Sequence, residues 1–323
     1  MNRREFLTAG AIIAAGSSSA LTAEPPPAII AITLDLEMSR NFPTWETTHW
    51  DFEKGNLNDE TKKYAVEAAR RVKERGGRIH FFALGRTLEQ ENIDWLAQIA
   101  EAGHPIGNHT YDHVNVKATK AADIQFRFQR SPWLIEGRQL ADVIRENIRL
   151  TSAALKSRLG IEAAGFRTPG GFGSGLADRE DVQKMLLDLG FQWVSSKYPA
   201  HLNSRPLEEP SEEVLRSIVA AQKEAQPFAY PSGLVEVPMS PISDIGAFRT
   251  GRWRLEWFLR AVRAGVQWAI ENRACYDFLA HPSCLYVVDP KFQSIDLICD
   301  LVEQSRGRAK LATLEELAGR AKH

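Results

Sequence analysis

Several acidic, histidine and arginine side chains stand where short apolar runs of the sequence end. Asp35 and Glu37 follow the run 29–34, and residues two apart project from the same face of an extended chain. Two carboxylates this close are unfavourable unless a cation or an arginine lies between them. Alone, the pair would be an ordinary acidic strand exit. With suitable partners, it could belong to a metal or acid–base site.

A second group of polar residues, 104–113, follows another short apolar run. His109 and His113 are four residues apart, a spacing that on one helical turn aims both imidazoles at a common point. Two histidines and a carboxylate, with one position left for water, are typical of a catalytic metal site. The same spacing occurs on ordinary helix faces. His104 is interpreted as a structural residue of the preceding turn.

Two further strand ends carry residues suited to the same site. Arg167 ends the run 163–167, where its guanidinium is expected to pair with a carboxylate. The glycine pair 170–171 leaves backbone N–H groups that could stabilise an oxyanion. His281 leaves the run 276–280 just before a proline. Each feature alone fits a plain turn or a structural histidine, but together they favour one shared site.

The elements that would position these residues alternate between short β-rich runs and longer helical patterns. Strands are expected at 29–34, 79–83, 105–107, 163–167, 191–195, 234–237, 276–280 and 310–312. Helices are expected at 60–75, 93–101, 137–159, 178–189, 212–225, 253–271 and 292–305. Seven or eight such units predict a parallel (β/α) barrel, whose function belongs at the carboxyl ends of its strands. An open doubly wound sheet is the alternative, disfavoured because no glycine-rich nucleotide loop is present.

Composition narrows the class of protein. The chain has 323 residues, 44% of them hydrophobic and 25% charged, with a formal net charge of −1. Nucleic-acid binders usually carry a basic patch, so the charge gives no reason to expect that partner. No apolar run approaches the roughly 20 residues that span a bilayer, so the mature protein is predicted to lack a transmembrane segment.

The first 23 residues resemble a bacterial twin-arginine export signal, with Arg3-Arg4 ahead of an apolar stretch and small residues. We therefore expect a signal at 1–23, a proline-rich spacer at 24–27 and one domain at 28–323. This predicts export by the twin-arginine translocase to the periplasm or outside the cell. The three cysteines cannot form a disulfide framework and are expected to be buried, although one disulfide of unknown pairing stays open.

These motifs together resemble the NodB-type polysaccharide deacetylases, carbohydrate esterase family 4, over nearly the whole mature chain, from residue 29 to about 317. The matching segments are Thr33-Leu34-Asp35, His109-Thr110-Tyr111-Asp112-His113, Arg167-Thr168-Pro169-Gly170 and Leu279-Ala280-His281, with 79–85 similar to the family's second strand. The resemblance implies a distorted (β/α)7–8 barrel and a metal-dependent hydrolase of N-acetylated glycans. It implies a divalent metal, zinc first, with cobalt or nickel as alternatives.

Residue by residue, the resemblance assigns the catalytic base to Asp35 and the metal-binding histidines to His109 and His113. It assigns the orientation of the base to Arg167. It assigns the oxyanion-hole N–H to Gly170 and the general acid to His281. The family's usual third metal ligand directly follows the base, where this chain has Leu36, so Glu37 is the expected substitute. The family's partner of the acid has no clear counterpart, and Asp244, Glu236 and Asp277 are the candidates.

The sequence alone leaves two other functions open. One is a metal-independent or metal-optional hydrolase of a cyclic or small amide, similar to allantoinase, favoured if Glu37 does not reach a metal. The other is a non-catalytic periplasmic carbohydrate-binding protein. Trp45, Trp50 and Trp133 could stack on sugar rings, although scattered tryptophans more often anchor a core or a loop.

Overall fold

Nine β-strands form one sheet in the computed structural model, which describes residues 25–46, 54–163 and 165–321. The strands are β1 (Ala28–Leu36), β2 (Ile79–Ala83), β3 (Ile106–Asn108), β4 (Gly165–Phe172), β5 (Trp193–Lys197), β6 (Phe228–Ala229), β7 (Val235–Glu236), β8 (Cys275–Ala280) and β9 (Ala309–Ala312). The α-helices of the described part are α1 (Asp59–Glu74), α2 (Asp94–Glu101), α3 (Phe126–Arg130), α4 (Leu140–Leu159), α5 (Glu180–Asp188), α6 (Glu212–Ala221), α7 (Leu255–Glu271), α8 (Pro282–Val288), α9 (Gln293–Gln304) and α10 (Leu314–Ala318). The predicted export signal and Trp50 lie outside the described residues.

The sheet is a curled, incompletely closed barrel. Its strand order is β6-β7-β5-β4-β3-β2-β1-β8, with β9 beside the first four residues of β1. All pairings are parallel except that of β6 with β7. Ser240, after β7, joins the far edge: its N–H donates to the Asp277 carbonyl, and the Asp277 N–H donates to its hydroxyl, both at 3.1 Å. The predicted distorted barrel is confirmed.

Strand β1 shows how the sequence separates two cores. All nine of its residues are buried, as expected for a parallel strand covered on both faces. Ile30, Ile32 and Leu34 belong to the large core under the helices. Ile29 and Ala31 belong to a smaller apolar cluster that also contains Phe82, Trp193, Leu314 and Leu317. Because the side-chain period of a strand is two, Thr33 and Asp35 continue the second face.

The helices cover the outer face through amphipathic stripes. Helix α1 begins at Asn58, whose side chain accepts a hydrogen bond from the Thr61 N–H at 2.9 Å, the usual way to satisfy a free N–H at a helix start. Its buried face includes Tyr64, Ala68 and Val72. Burying such a stripe is the main source of helix stability in a protein of this kind.

The predicted elements are nearly all present, with boundaries shifted by a few residues. Each of the eight predicted strands corresponds to an observed strand, and each of the seven predicted helices to an observed helix. The pattern missed the two-residue strand β6 and the short helices α3, α8 and α10. Residues 199–210 form the expected loop without helix or strand.

Candidate active site

A cavity of about 410 Å³ opens at the carboxyl ends of the strands. It is lined by Asp35, Glu37, Arg40, Lys54, His109, His113, Thr168, Gly170, Gly171, Tyr198, Met239, Ser243, Ile245, Arg249, Leu279 and His281. Six of the seven predicted site residues therefore line one cavity, and the seventh, Arg167, is buried against Asp35.

Glu37, His109 and His113 form the candidate metal centre. One ligand atom from each lies within 4.8 Å of the other two. The His113 Nε2 atom is 2.9 Å from Glu37 Oε2, and the His109 Nε2 atom is 3.4 Å from the same oxygen. Ligands about 3.4 Å apart are what a tetrahedral zinc ion with bonds of about 2.1 Å requires. The donor set fits zinc or a similar divalent metal, with room on the cavity side for water.

Leu36 and Glu37 differ in the direction of their side chains. Leu36 is fully buried in the outer core beneath the helices. The position directly after Asp35 is therefore turned away from the cavity in this chain. Glu37 continues the inward face of β1 after Asp35, and its longer side chain reaches the two histidines.

The segment that carries the histidines is a loop, not the helical turn that the spacing predicted. Thr110 and His113 both have left-handed backbone conformations, with φ of 63° and 59°. The loop is fixed by side chains: Asn108 Oδ1 accepts from the Thr110 N–H at 2.9 Å, and Thr110 Oγ1 accepts from the Val114 N–H at 3.0 Å. Both imidazoles do face a common centre, as predicted, but the loop conformation brings them together instead of a helical turn.

His109 is further oriented by the backbone of β4. Its Nδ1 atom is 2.9 Å from the Arg167 carbonyl oxygen. Protonation at Nδ1 makes that contact a hydrogen bond and leaves Nε2 as the metal-facing acceptor, the usual way in which a second contact fixes the tautomer of a ligand histidine.

The protonation states of Glu37 and His113 suit metal binding. Burial disfavours an ionised Glu37, but its interactions with His113, Lys54 and His109 hold its pKa well below the usual range. Burial lowers the pKa of His113 to about 3, against the opposing effect of Glu37. A carboxylate and a neutral imidazole at neutral pH are the protonation states that metal ligands need.

Lys54 is a residue of this site that the sequence did not reveal. Its ammonium contacts Glu37 Oε1, the oxygen not shared with the metal-facing histidines, and both side chains are buried. Lys54 is tied to the residues just after β1 by a hydrogen bond from the Met38 N–H to the Lys54 carbonyl, 2.9 Å. No motif in the sequence marks this contact, because it depends on tertiary packing between residues that are distant in the sequence.

Arg167 is fully buried and connects two carboxylates. Its NH1 atom is 3.3 Å from Asp35 Oδ1, and its NH2 atom is 2.6 Å from Asp277 Oδ2. Thr33 completes the group by donating to Asp277 Oδ1 at 2.8 Å and accepting from Arg167 at 2.8 Å. Burial raises the pKa of Asp277, with Arg167 opposing that rise.

His281 is held by Asp244, one of the three candidates left open by the sequence. The His281 Nδ1 atom is 3.0 Å from Asp244 Oδ1, and the His281 backbone N–H donates to Asp244 Oδ2 at 2.7 Å. Burial alone would lower the pKa of His281, but Asp244, with a further contribution from Glu37, raises it to about 10. The imidazole is therefore protonated at neutral pH, with Nε2 facing the cavity 3.5 Å from Glu37 Oε1.

The other two candidates are engaged elsewhere. Asp277 pairs with Arg167, and Glu236 accepts hydrogen bonds from the backbone of Ser196 and Lys197 and from the Tyr230 hydroxyl. Asp244 itself immediately precedes a π-helical segment, Ile245–Thr250, which no sequence pattern predicted.

Gly170 lies at the exposed end of β4, where it lines the cavity with φ of 78°. This left-handed backbone conformation favours glycine. A second cavity of about 460 Å³ shares His113 and Gly170 with the first and extends toward Phe126. Trp45 and Trp133 are 41% and 67% exposed and line neither cavity.

Comparison with known proteins supports the resemblance that these motifs carry. A sequence profile of the polysaccharide deacetylase family matches residues 50–194, a range that contains His109, His113 and Arg167. No curated protein matches the sequence. The resemblance to the NodB-type deacetylases is thereby confirmed.

Solved structures support the same fold. A protein assigned as a polysaccharide deacetylase from Mycobacterium smegmatis superposes with a TM-score of 0.60 at 15% identity, covering 92% of this chain and 91% of that one. One from Pseudomonas aeruginosa PAO1 gives 0.59 at 13% identity, covering 92% and 94%. PuuE allantoinase also gives 0.59, at 11% identity and the same coverage. Among the described residues, no helix is both long and apolar enough to cross a membrane.

Proposed function

We propose that this protein is a metal-dependent hydrolase that removes N-acyl groups, acetyl first, from amino sugars of a glycan. The observation that carries the proposal is the meeting of three units in one cavity. These are the Glu37–His109–His113 centre, the Asp35–Arg167 pair and the Asp244–His281 pair. A hydrolase of amides needs a group for each of three tasks: activation of water, stabilisation of the oxyanion and protonation of the leaving amine.

In this proposal Glu37, His109 and His113 hold a divalent metal, zinc first. Such a metal polarises an acyl carbonyl and makes water acidic enough to attack near neutral pH. Asp35 accepts the proton of the attacking water, and the adjacent Arg167 balances its charge. The Gly170 N–H donates to the developing oxyanion. His281, protonated at rest, gives its proton to the departing amine from Nε2.

The test is the metal content and activity of the purified protein beside Glu37→Ala and His113→Ala, with His201→Ala as the control. His201 contacts the Leu202 carbonyl and is not part of the cavity. We expect near-stoichiometric metal in the wild type and the control, and loss of metal and of amine release from N-acetylglucosamine oligomers in both site variants. Retention of metal in Glu37→Ala alone would reject Glu37 as a ligand.

A second candidate function is hydrolysis of a cyclic or small amide without an obligatory metal. The observation that favours it is the Lys54 ammonium on Glu37, since a buried cation already supplies positive charge beside the centre. Activity of the metal-free wild type on a small amide, abolished in Lys54→Met, would establish this alternative. Binding of glycans without turnover at any metal loading would instead favour a carbohydrate-binding protein.

We also propose that the protein is exported through the twin-arginine pathway to the periplasm or beyond. The support is the order of residues in 1–23, with paired arginines before an apolar stretch. Replacing Arg3 and Arg4 together by lysine should retain the protein in the cytoplasm. Unchanged export of that variant would reject the proposal.

A further inference from the structure

The rim of the active-site cavity carries positive charge that the site itself does not use. Arg40 and Arg249 both line the cavity. Within the described ranges, no hydrogen bond or salt bridge joins either guanidinium to a carboxylate. The deeper carboxylates already have partners: Asp35 and Asp277 share Arg167, Asp244 holds His281, and Glu37 contacts Lys54.

Arg249 is the better placed of the two cations. It is half-buried on the segment Ile245–Thr250, which follows Asp244 and therefore adjoins His281. Burial lowers its pKa, the charges of Asp244 and Glu37 oppose that effect, and the nearby charge of Arg40 adds to it. Two guanidinium groups that repel each other at the edge of a cavity are stabilised when an anion lies between them.

The side chains that line the cavity limit what that anion can be. Tyr198, Met239 and Ile245 line the same space, so the ligand is expected to have an apolar ring face beside its charge. An arginine binds a planar carboxylate through two parallel hydrogen bonds, a geometry that a point charge such as lysine cannot match.

We propose that the substrate carries a carboxylate on the same sugar as its N-acyl group, and that Arg249, assisted by Arg40, binds this carboxylate at the rim. The inference rests on the proposed function, because it names the class of glycan that the same site accepts. Arg249 is then a specificity-determining residue, and neutral N-acetylated glycans are the poorer substrates.

The experiment compares chitin oligomers with the same oligomers oxidised at C6 to carboxylates. Amine release gives kcat and KM, and calorimetry gives Kd, for the zinc-loaded wild type, Arg249→Gln and Arg249→Lys. The control is Arg263→Gln, which removes the same charge from the exposed face of α7. Both readouts are repeated at raised salt.

We expect the wild type to prefer the carboxylated oligomers by about tenfold or more, the size of one charge-assisted pair of hydrogen bonds. Arg249→Gln should lose most of that preference through KM and Kd, Arg249→Lys should keep part of it, and the control should keep it all. Equal efficiency on both oligomers in the wild type, or an equal loss on both in Arg249→Gln, overturns the inference.

The two proposals can fail separately. Preferential binding of the carboxylated oligomers without amine release, lost in Arg249→Gln, supports the carboxylate site and rejects the deacetylase. Amine release without preference rejects the carboxylate site and leaves the deacetylase. Binding of neither oligomer overturns the carboxylate site.

Discussion

The two carboxylate oxygens of Glu37 have different neighbours. Oε2 faces His109 and His113, whereas Oε1 contacts the Lys54 ammonium and lies 3.5 Å from His281. A buried carboxylate is stable only when its charge is balanced, and here a cation from the protein does so. The same cation would repel a divalent metal at the centre. We therefore expect Lys54 to stabilise the metal-free protein and to weaken binding of the proposed metal.

Lys54→Met tests that balance. In EDTA we expect the free energy of unfolding of the variant to be lower by about 3–5 kcal/mol, because Glu37 loses its buried partner. With saturating zinc most of the loss should be recovered, because binding to the folded state adds stability. The zinc Kd should fall at least tenfold, because the cation that repels the metal is gone. Thermal unfolding with and without zinc measures both effects. Lys156→Met, on an exposed ion pair, is the control. A higher zinc Kd in Lys54→Met than in the wild type would contradict this expectation.

Asp244→Asn tests the role of the raised pKa of His281. The histidine must be protonated to act as an acid, so activity should fall as pH rises through its pKa of about 10. Replacing the carboxylate by an amide removes the largest effect that raises this pKa. The alkaline limb of kcat/KM should therefore move to lower pH, with lower activity at pH 8. Asp178→Asn, at an exposed ion pair, should leave the profile in place, and an unshifted limb in Asp244→Asn would reject His281 as the acid.

At the scale of elements, close packing of β4 against β5 fixes the floor of the site. Gly165 pairs with Trp193, and a methyl group at Gly165 would overlap the indole ring. The ring cannot easily move, because it packs against His80 and Phe82 at ring-centre distances of 5.4 and 6.1 Å. The residues above it, Arg167 among them, depend on this pairing.

Gly165→Ala should therefore destabilise the fold by about 1–3 kcal/mol, the usual cost of overpacking a core. Denaturant unfolding followed by tryptophan fluorescence measures it. Gly173→Ala is the matched control, since among the described residues no atom lies within 4 Å of the added methyl group and its φ is not positive. Equal midpoints for the two variants would show that the indole can be displaced without cost.

Strand β1 explains how much of the site the sequence could predict. A period of two places Asp35 inward and Leu36 outward, so the acidic residues on the inner face were predictable. The contacts of Lys54 and Asp244 were not, because each residue lies outside a regular strand, Asp244 just before the π-helical segment, and its position depends on tertiary packing. The sequence identified His109 and His113 as site residues but did not predict the backbone conformation of the loop that carries them.

At the scale of the whole molecule, the three cysteines provide a test of the proposed export. Cys275, Cys284 and Cys299 are all free and buried. Their burial was expected from the sequence, which had left one disulfide open. Burial raises the pKa of Cys275 to about 11 and that of Cys299 to about 12. A thiol with so high a pKa is almost entirely protonated at neutral pH and is a poor nucleophile.

The native protein should therefore react with a thiol reagent such as dithiobisnitrobenzoate at fewer than one of its three cysteines, and at all three after unfolding in guanidinium. The proposed export through the twin-arginine pathway predicts the same count for exported protein, because a chain that crosses the membrane already folded keeps its thiols inside the core. Comparison of exported and cytoplasmic protein, without reductant, measures this directly. One reactive thiol instead of three in the unfolded exported sample would reveal a disulfide, and would show that the chain folds after it has reached the oxidising compartment.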